Sequence, residues 1–517
     1  MKILLNKWLA ALTLTVALGA CTKDFETINV NPNAPSSVPL PFLLGQAQLQ
    51  IDGSAGDPGY KTWRGNLIYA GPIVQQLAST NSYYAGDKYV YSTENSGAYF
   101  ADSYGNSVKT LVNLIALAKT DPANVNILSM ARILRAFQMH LITDMYGDVP
   151  YFEAGQGYIS QVFSPKYDPQ KDIYADMLNE LDQAGKALTA SQPTPASADF
   201  CFGGDITKWK KFANSLMLRL AMRTQKVDPA GAQTWVKKAV DGGLMSSNDD
   251  TFTIKHASGP TYSINPNSYN LSIFSSGGRN VLAEDAVLWS KTLIDLMQAR
   301  KDPRLNVIAA VAGGDMTPGK QKGLPNGYDN TTGTPYSLST YGDANLKNYS
   351  RPSPLIIGAD DPSIYLTYAE TRFLLAEAIE RGWATGSAKD EYAKGQTAAL
   401  AQMVSYDPTA AITNSAPYVA ANPYPATSLD DKLTQIHSEM YILTASTLNF
   451  YEGWSNYRRT GLPKLTPVNY PGNATGGQIP RRLRYPPTEA AVNPNYAIAN
   501  ERQGGDSFTA RMWWDKP

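Results

Sequence analysis

A mainly α fold, built from antiparallel helical hairpins and interrupted by long irregular loop excursions, is what this chain predicts. Three observations carry it. Apolar residues recur at steps of three and four through most of the segments between Asn126 and Asn449. Those segments end at Gly, Pro or Asp-Pro, the ordinary helix stops. No alternating apolar and polar run is long enough for a central sheet, which leaves only short hairpins in the loops.

The first strong stripe is NILSMARILRAFQMHLITDMYG from Asn126, with Ile127, Met130, Ile133, Leu134, Phe137, Leu141 and Met145 on one face. Gly147 and Pro150 stop it, and Asp144 and Asp148 read as capping and turn residues beside them. Segments 172–188, 209–222 and 232–240 repeat the pattern, the first with Ile173, Met177, Leu178, Leu181, Ala184 and Leu188 aligned. Helical text returns at 286–300, placing Trp289 on a packed helix, and closes at Asp302-Pro303-Arg304, where Arg304 is expected to pair with a carboxylate. Segments 364–381 and 388–404, joined by a short turn containing Gly382, form a hairpin rich in alanine. That pair is similar in shape to a tetratricopeptide-type hairpin, although no strict 34-residue repeat is present. Segment 429–449 supplies the last long helix, and the tail from Pro463 reads as coil. Spans 250–280 and 313–354, rich in Gly, Asn, Ser and Tyr, read as loop insertions.

Composition narrows the function classes. The chain has 517 residues, enough for a sizeable core, and 45 basic residues balance 45 acidic ones, so no basic face for nucleic acid is expected. Three scattered histidines, His140, His256 and His437, with Cys21 and Cys201 as the two cysteines, make a transition-metal centre improbable, and no metal or cofactor is expected. Tyr outnumbers Phe by 31 to 14, with nine Trp beside them. Side chains with an apolar face and a polar tip suit half-wet surfaces, and so loops that bind something.

The start of the chain reads as an export signal. Lys2 and Lys7 precede an uncharged stretch too short to span a bilayer, and Leu18-Gly19-Ala20-Cys21 ends it as a lipobox would. Residues 1–20 are thus expected to be a cleaved leader, Cys21 the lipid attachment point, and 21–41, with four prolines between 29 and 41, an extended tether. Asp24 and Glu26 follow at once, as in a surface-sorting signal. The body, 42–517, is expected to be a single helical domain.

Several strings carry a family resemblance: ITDMYGDVPY, Tyr167-Asp168 with Tyr174, DITKWKKFANSLMLRLAMR from Asp205, RKDPRL from Arg300, FLLAEAIERGW, NFYEGWSNYRRTGLPKL from Asn449, IPRRLRYPPTEAAVNPNY and the closing WWD. Together they resemble the SusD/RagB-like nutrient-binding outer-membrane lipoproteins, in the SusD-like branch with a shortened first helical section. The resemblance implies a tetratricopeptide-like α/α scaffold. It also implies a surface-facing lipoprotein that captures oligosaccharides or peptides and delivers them to a SusC-like TonB-dependent outer-membrane barrel.

Ligand recognition is expected where Trp or Tyr stands next to Asn, Asp or Gln, because a sugar offers C–H faces for aromatic rings and hydroxyls for amides. Three stretches qualify: Trp63, Asn66, Tyr69 and Gln75; Tyr83, Tyr84, Asp87 and Tyr89; and Asn330, Tyr336 and Tyr341, beside Tyr328 and Asp329. Arg458 and Arg459 are expected to pair with carboxylates of neighbouring helices. Two other classes stay open. A surface glycoside hydrolase would need two carboxyl groups about 5 Å or roughly 6.5 to 9.5 Å apart, and Glu284/Asp285 and Asp360/Asp361 are its candidates. A protein-only tetratricopeptide-type scaffold would need no small ligand. No nucleophile elbow, metalloprotease motif or phosphate loop is present, and no catalytic residue is assigned.

Overall fold

Why the helices begin where they do follows from their caps. In the computed structural model, which describes residues 38–54, 59–258, 263–265, 267–275, 280–281 and 286–517, Ser, Thr or Asp side chains accept the free N–H groups at many helix starts. The longer helices are α1 Leu40–Asp52, α2 Thr93–Ser103, α3 Lys109–Ala118, α4 Val125–Tyr146, α5 Gln170–Ala187, α6 Ile206–Arg223, α7 Pro229–Gly242, α8 Lys291–Ala299, α9 Tyr368–Glu380, α10 Ala388–Ala401, α11 Leu429–Ser446 and α12 Phe450–Thr460. Asp205 caps α6 by accepting from the Thr207 and Lys208 amides, Thr367 caps α9, Ser387 caps α10 and Ser428 caps α11. Gly147, at φ +81°, ends α4 where a Cβ would meet the Gln503 side chain at 1.8 Å.

Sequential helices pack as pairs, α4 on α5, α6 on α7, α9 on α10 and α11 on α12, while α6 also packs on α5 and α9. One apolar cluster runs through them from Leu43 to Trp514. The expected mainly α, hairpin-built architecture is therefore what the chain forms. Among the described residues the strands make six separate two-stranded pairings and no central sheet. No described helix is long and apolar enough to cross a membrane.

Two helical expectations are corrected at their N-terminal ends. Leu288 and Trp289 lie in a short strand paired with Leu77–Ala78, and α8 starts only after Ser290, whose hydroxyl accepts from the Leu293 amide. Trp289 is packed nonetheless, its indole donating to the Ile308 carbonyl at 2.9 Å. Ser363–Leu366 pairs with Phe252–Ile254 before α9, since Ile364 and Leu366 are buried and Thr367 resets the backbone at the cap. The expected helix 429–449 is α11, Leu429–Ser446, and after Leu448, at φ +55°, a further helix that the sequence reading did not give, α12, follows at once. The early helices α1, α2 and α3 escape the sequence reading; α2, TENSGAYFADS, has too few aliphatic residues to show a stripe. The 250–280 insertion also holds a one-and-a-half-turn helix, Ser268–Ile273.

The core is crossed by buried ion pairs that lock helix to helix. Arg219 of α6 grips Glu370 of α9 through two bonds of 2.6 and 2.7 Å. Arg223 of α6 reaches Glu452 of α12 at 2.6 Å and Asp144 of α4 at 3.3 Å. Arg459 is paired as expected, with Glu377 at 2.8 and 2.9 Å, and Arg304 with Asp302 and Glu439. Arg458 is not: it donates to the carbonyls of Asp144 and Arg481 and lies over the Trp454 ring. Asp144 is likewise no cap, since it accepts from the Tyr174 hydroxyl and the Trp514 indole deep in the core. Asp148 does serve a helix start, accepting from the Gln170 amide of α5 at 2.7 Å.

Candidate functional site

A π-helical segment, Gly59–Ala70, sets the first part of the surface. Its wider winding turns Asn66, Leu67, Ile68 and Tyr69 inward and leaves Trp63 and Arg64 half-buried at the edge. The loop that follows, 79–91, presses onto it at Gly86, where a Cβ would lie 1.9 Å from the Ile68 carbonyl oxygen. Tyr83, 39% exposed, faces the Trp63 ring at 5.5 Å and the Tyr84 ring at 6.1 Å, and the Arg64 guanidinium covers Trp63 at 5.4 Å.

Two further stretches close on this loop. From the excursion 326–349, Asn326 donates to the Leu77 carbonyl at 2.7 Å and Asn330 to the Thr80 hydroxyl at 3.1 Å. From the C-terminal coil, Tyr470 donates its hydroxyl to Asp329, and Asn469 offers its carbonyl to the Tyr336 hydroxyl at 3.0 Å. The Tyr336 and Tyr470 rings meet edge to face at 5.1 Å, and Tyr328 and Tyr341 do the same at 5.0 Å. Tyr336 and Tyr470 are half-buried, while Asn330, Tyr341 and Asn469 are exposed. The result is a surface of aromatic edges and faces set among side-chain amides.

The expected ligand residues divide into two groups. Trp63, Tyr83, Asn330, Tyr336 and Tyr341 reach the surface. Asn66, Tyr69, Gln75, Tyr84, Asp87 and Tyr89 do not, being between 0% and 4% exposed. Their polar atoms serve the fold: Asn66 donates to the Leu448 carbonyl, Tyr69 to that of Val90, Gln75 to that of Thr466, and the Tyr89 hydroxyl accepts from the Val468 amide. Burial pushes the Asp87 carboxyl above its ordinary range although Lys88 stands beside it. Each of these six was expected to face a ligand, and a tyrosine packs its ring against the core as readily as it offers it to solvent. Tyr470, with Asn469 and Asn473, is the component that sequence reasoning missed. The turn chemistry of Tyr470-Pro471-Gly472-Asn473, one aromatic among turn formers, was the available signal.

Glu284, Asp285 and Cys21 lie outside the described residues. Asp361 accepts from the Gly358 amide at 2.6 Å and is pushed up to about 6 by burial, with Asp407 and its neighbour Asp360 adding to the shift. Among the described residues no group of three or more His, Cys, Asp or Glu side chains is placed to hold a metal.

A family model described as starch-binding associating with outer membrane, of the SusD-like type, matches residues 32–486. The chain belongs to the SusD-like family. The family's helical fold is seen in solved relatives: a chitin-binding protein is 33% identical, with 93% of this chain and all of that one covered at a TM-score of 0.80. A Bacteroidetes SusD-like protein is 27% identical over 93% of this chain and all of its own, with a TM-score of 0.78. A chitin-binding SusD homolog from Flavobacterium johnsoniae is 25% identical over 92% of this chain and 98% of its own, with a TM-score of 0.75. No curated protein sequence matches the chain. As a SusD-like protein, the chain is placed among binders of glycans and other nutrients that associate with the outer membrane.

Proposed function

We propose that this SusD-like protein captures an oligosaccharide of N-acetylglucosamine type on the surface formed by Trp63, Tyr83, Asn330, Tyr336, Tyr341 and Tyr470. The observation that carries the reading is the convergence of three loops into aromatic pairs bordered by Asn330, Asn469 and Asn473. Pyranose rings stack their C–H faces on aromatic rings, and amide side chains both donate to and accept from hydroxyl and acetamido groups. The chitin-binding relatives supply the sugar class. The protein acts as a binder without turnover. Lipid attachment at Cys21 and the Pro-rich tether hold it at the outer face of the outer membrane, where it hands ligand to a TonB-dependent barrel of the SusC type.

Isothermal titration with chitohexaose, maltohexaose and a random hexapeptide pool tests the ligand class. Binding of chitohexaose at least tenfold tighter than the other two is expected, with the oligosaccharide recovered intact. Preference for the peptides, or cleavage of the sugar abolished by one carboxylate substitution, would remove this reading. The anchor is tested by Cys21→Ala, which is expected to release the protein from outer-membrane fractions.

A further inference from the structure

Under the candidate surface lies an ion pair that the binding chemistry does not use. Asp87 and Lys88 are 0% and 2% exposed, with Oδ1 and Nζ 3.1 Å apart. Neighbours in sequence on a helix point different ways; here the 3-10 turn Ala85–Lys88 and Tyr89, at φ +57°, turn both side chains inward. Each charged group then reaches a different loop. Asp87 Oδ2 accepts from the Gly327 amide at 3.1 Å, in the 326–349 excursion. Lys88 Nζ donates to the Ser79 carbonyl and stands 5.9 Å from the centre of the Tyr470 ring. Gly327 itself sits at φ +83°, where a Cβ would be 2.5 Å from Val468, so the second and third loops touch at the residue whose amide Asp87 holds.

We infer that the Asp87–Lys88 pair is the positioning unit of the ligand site, acting through Gly327 and Tyr470 to fix three loops in one geometry. This rests on reading the loop surface as that site. A buried ion pair is weak as a source of stability compared with apolar residues of similar volume, but it is exacting about where its partners stand. It joins a backbone amide of one loop, a carbonyl of another and an aromatic face of the third. An apolar pair filling the same space would hold none of the three in direction. The aromatic pair Tyr336/Tyr470 hangs from two of those loops, so its orientation depends on groups that no ligand touches.

The test compares the wild type with Lys88→Arg, Lys88→Met and the double variant Asp87→Leu/Lys88→Met. Thermal unfolding, chitohexaose affinity and amide hydrogen exchange of residues 326–330 and 466–475 without ligand are measured for each. Lys88→Met strands Asp87 and is expected to lower both Tm and affinity. The double variant is expected to recover the Tm while binding at least tenfold more weakly, with faster exchange in both loops. Lys88→Arg, which keeps the charge and the donor, is expected to bind within about threefold of wild type. A double variant that regains affinity along with Tm would overturn the inference, as would unchanged exchange in the two loops. If Lys88→Arg loses as much affinity as Lys88→Met, it fails as well. Should the wild type bind no chitohexaose, the exchange arm still decides the role of the pair, and only the ligand assignment falls.

Discussion

Replacing Arg219 with methionine keeps most of the side-chain length and removes the charge that Glu370 was built against. Both residues are 2% exposed, and two bonds of 2.6 and 2.7 Å join them between α6 and α9, while a third N–H of Arg219 donates to the Tyr365 carbonyl at 2.7 Å. Stranding one member of such a pair costs about 3–5 kcal/mol, because the other charge stays in the interior without compensation. At 1.4 kcal/mol per tenfold, the folded-to-unfolded ratio drops by roughly two to four orders of magnitude. Burial already raises the Glu370 carboxyl above its ordinary value near 4.5, and Arg219 opposes that. In Arg219→Met the carboxyl rises further. A folded-state value above the unfolded one favours the folded state at low pH, and this support is lost as pH rises through the folded value. The deficit of the variant is therefore largest at neutral pH and narrows toward pH 5. Urea unfolding of wild type, Arg219→Met and Arg219→Met/Glu370→Leu at pH 7.5 and pH 5 measures it. The double variant should recover most of the loss. Equal losses in single and double variants, independent of pH, would refute the argument that the stranded carboxylate is the cause.

Tyr336→Ala removes one face of the aromatic surface. With roughly 40 Å² of sugar surface left in water, at about 25 cal/mol per Å², chitohexaose affinity should fall about fivefold with little change in Tm. Tyr69→Phe is the complement: it should leave affinity unchanged and cost about 1 kcal/mol, since its hydroxyl only bonds the backbone of Val90 and Ser92. Trp514→Ala should cost about 3–5 kcal/mol by calorimetry, because the indole is fully buried and caps Asp144 under the Arg223 and Arg458 guanidiniums. Burial holds His140 well below its ordinary value of 6.5, helped by Arg219 and Arg223, and lowers His437 against the pull of Glu377. The unfolded chain takes up those protons first, so stability is full above about pH 6.5 and declines as pH falls below it. His140→Met should flatten that decline in a Tm-against-pH series, and an unchanged slope would exclude His140 as a contributor.

The helices that sequence shows best are those whose one face is aliphatic. Ile127 to Met145 gives α4 to within a residue or two at each end, and α6 and α7 follow the same rule. Where the buried face is made of Ser, Gly, Tyr and Phe, as in α2, or where an apolar run is buried on both sides, as at Leu288 and Trp289, periodicity carries no helix signal or a false one. The proposed ligand surface shows the same limit. Trp63, Tyr83, Asn330, Tyr336 and Tyr341 and the six buried candidates are the same residue types in the same kind of text, and only burial separates them.

By itself, then, the chain's sequence determined a mainly α body, its helical pairs, the loops that carry aromatic and amide side chains, and membership suggested by motifs spread from Ile142 to Asp515. These are local properties, set by spacing and residue type. The tertiary structure decided which tyrosines face out, brought Tyr470 to Tyr336 from a distant part of the chain, and turned Asp87 from a ligand candidate into a buried partner of Lys88. That division has one physical cause. An amphipathic ring or a carboxylate is stable either wet or buried with partners, and the partners here lie on loops far apart in sequence.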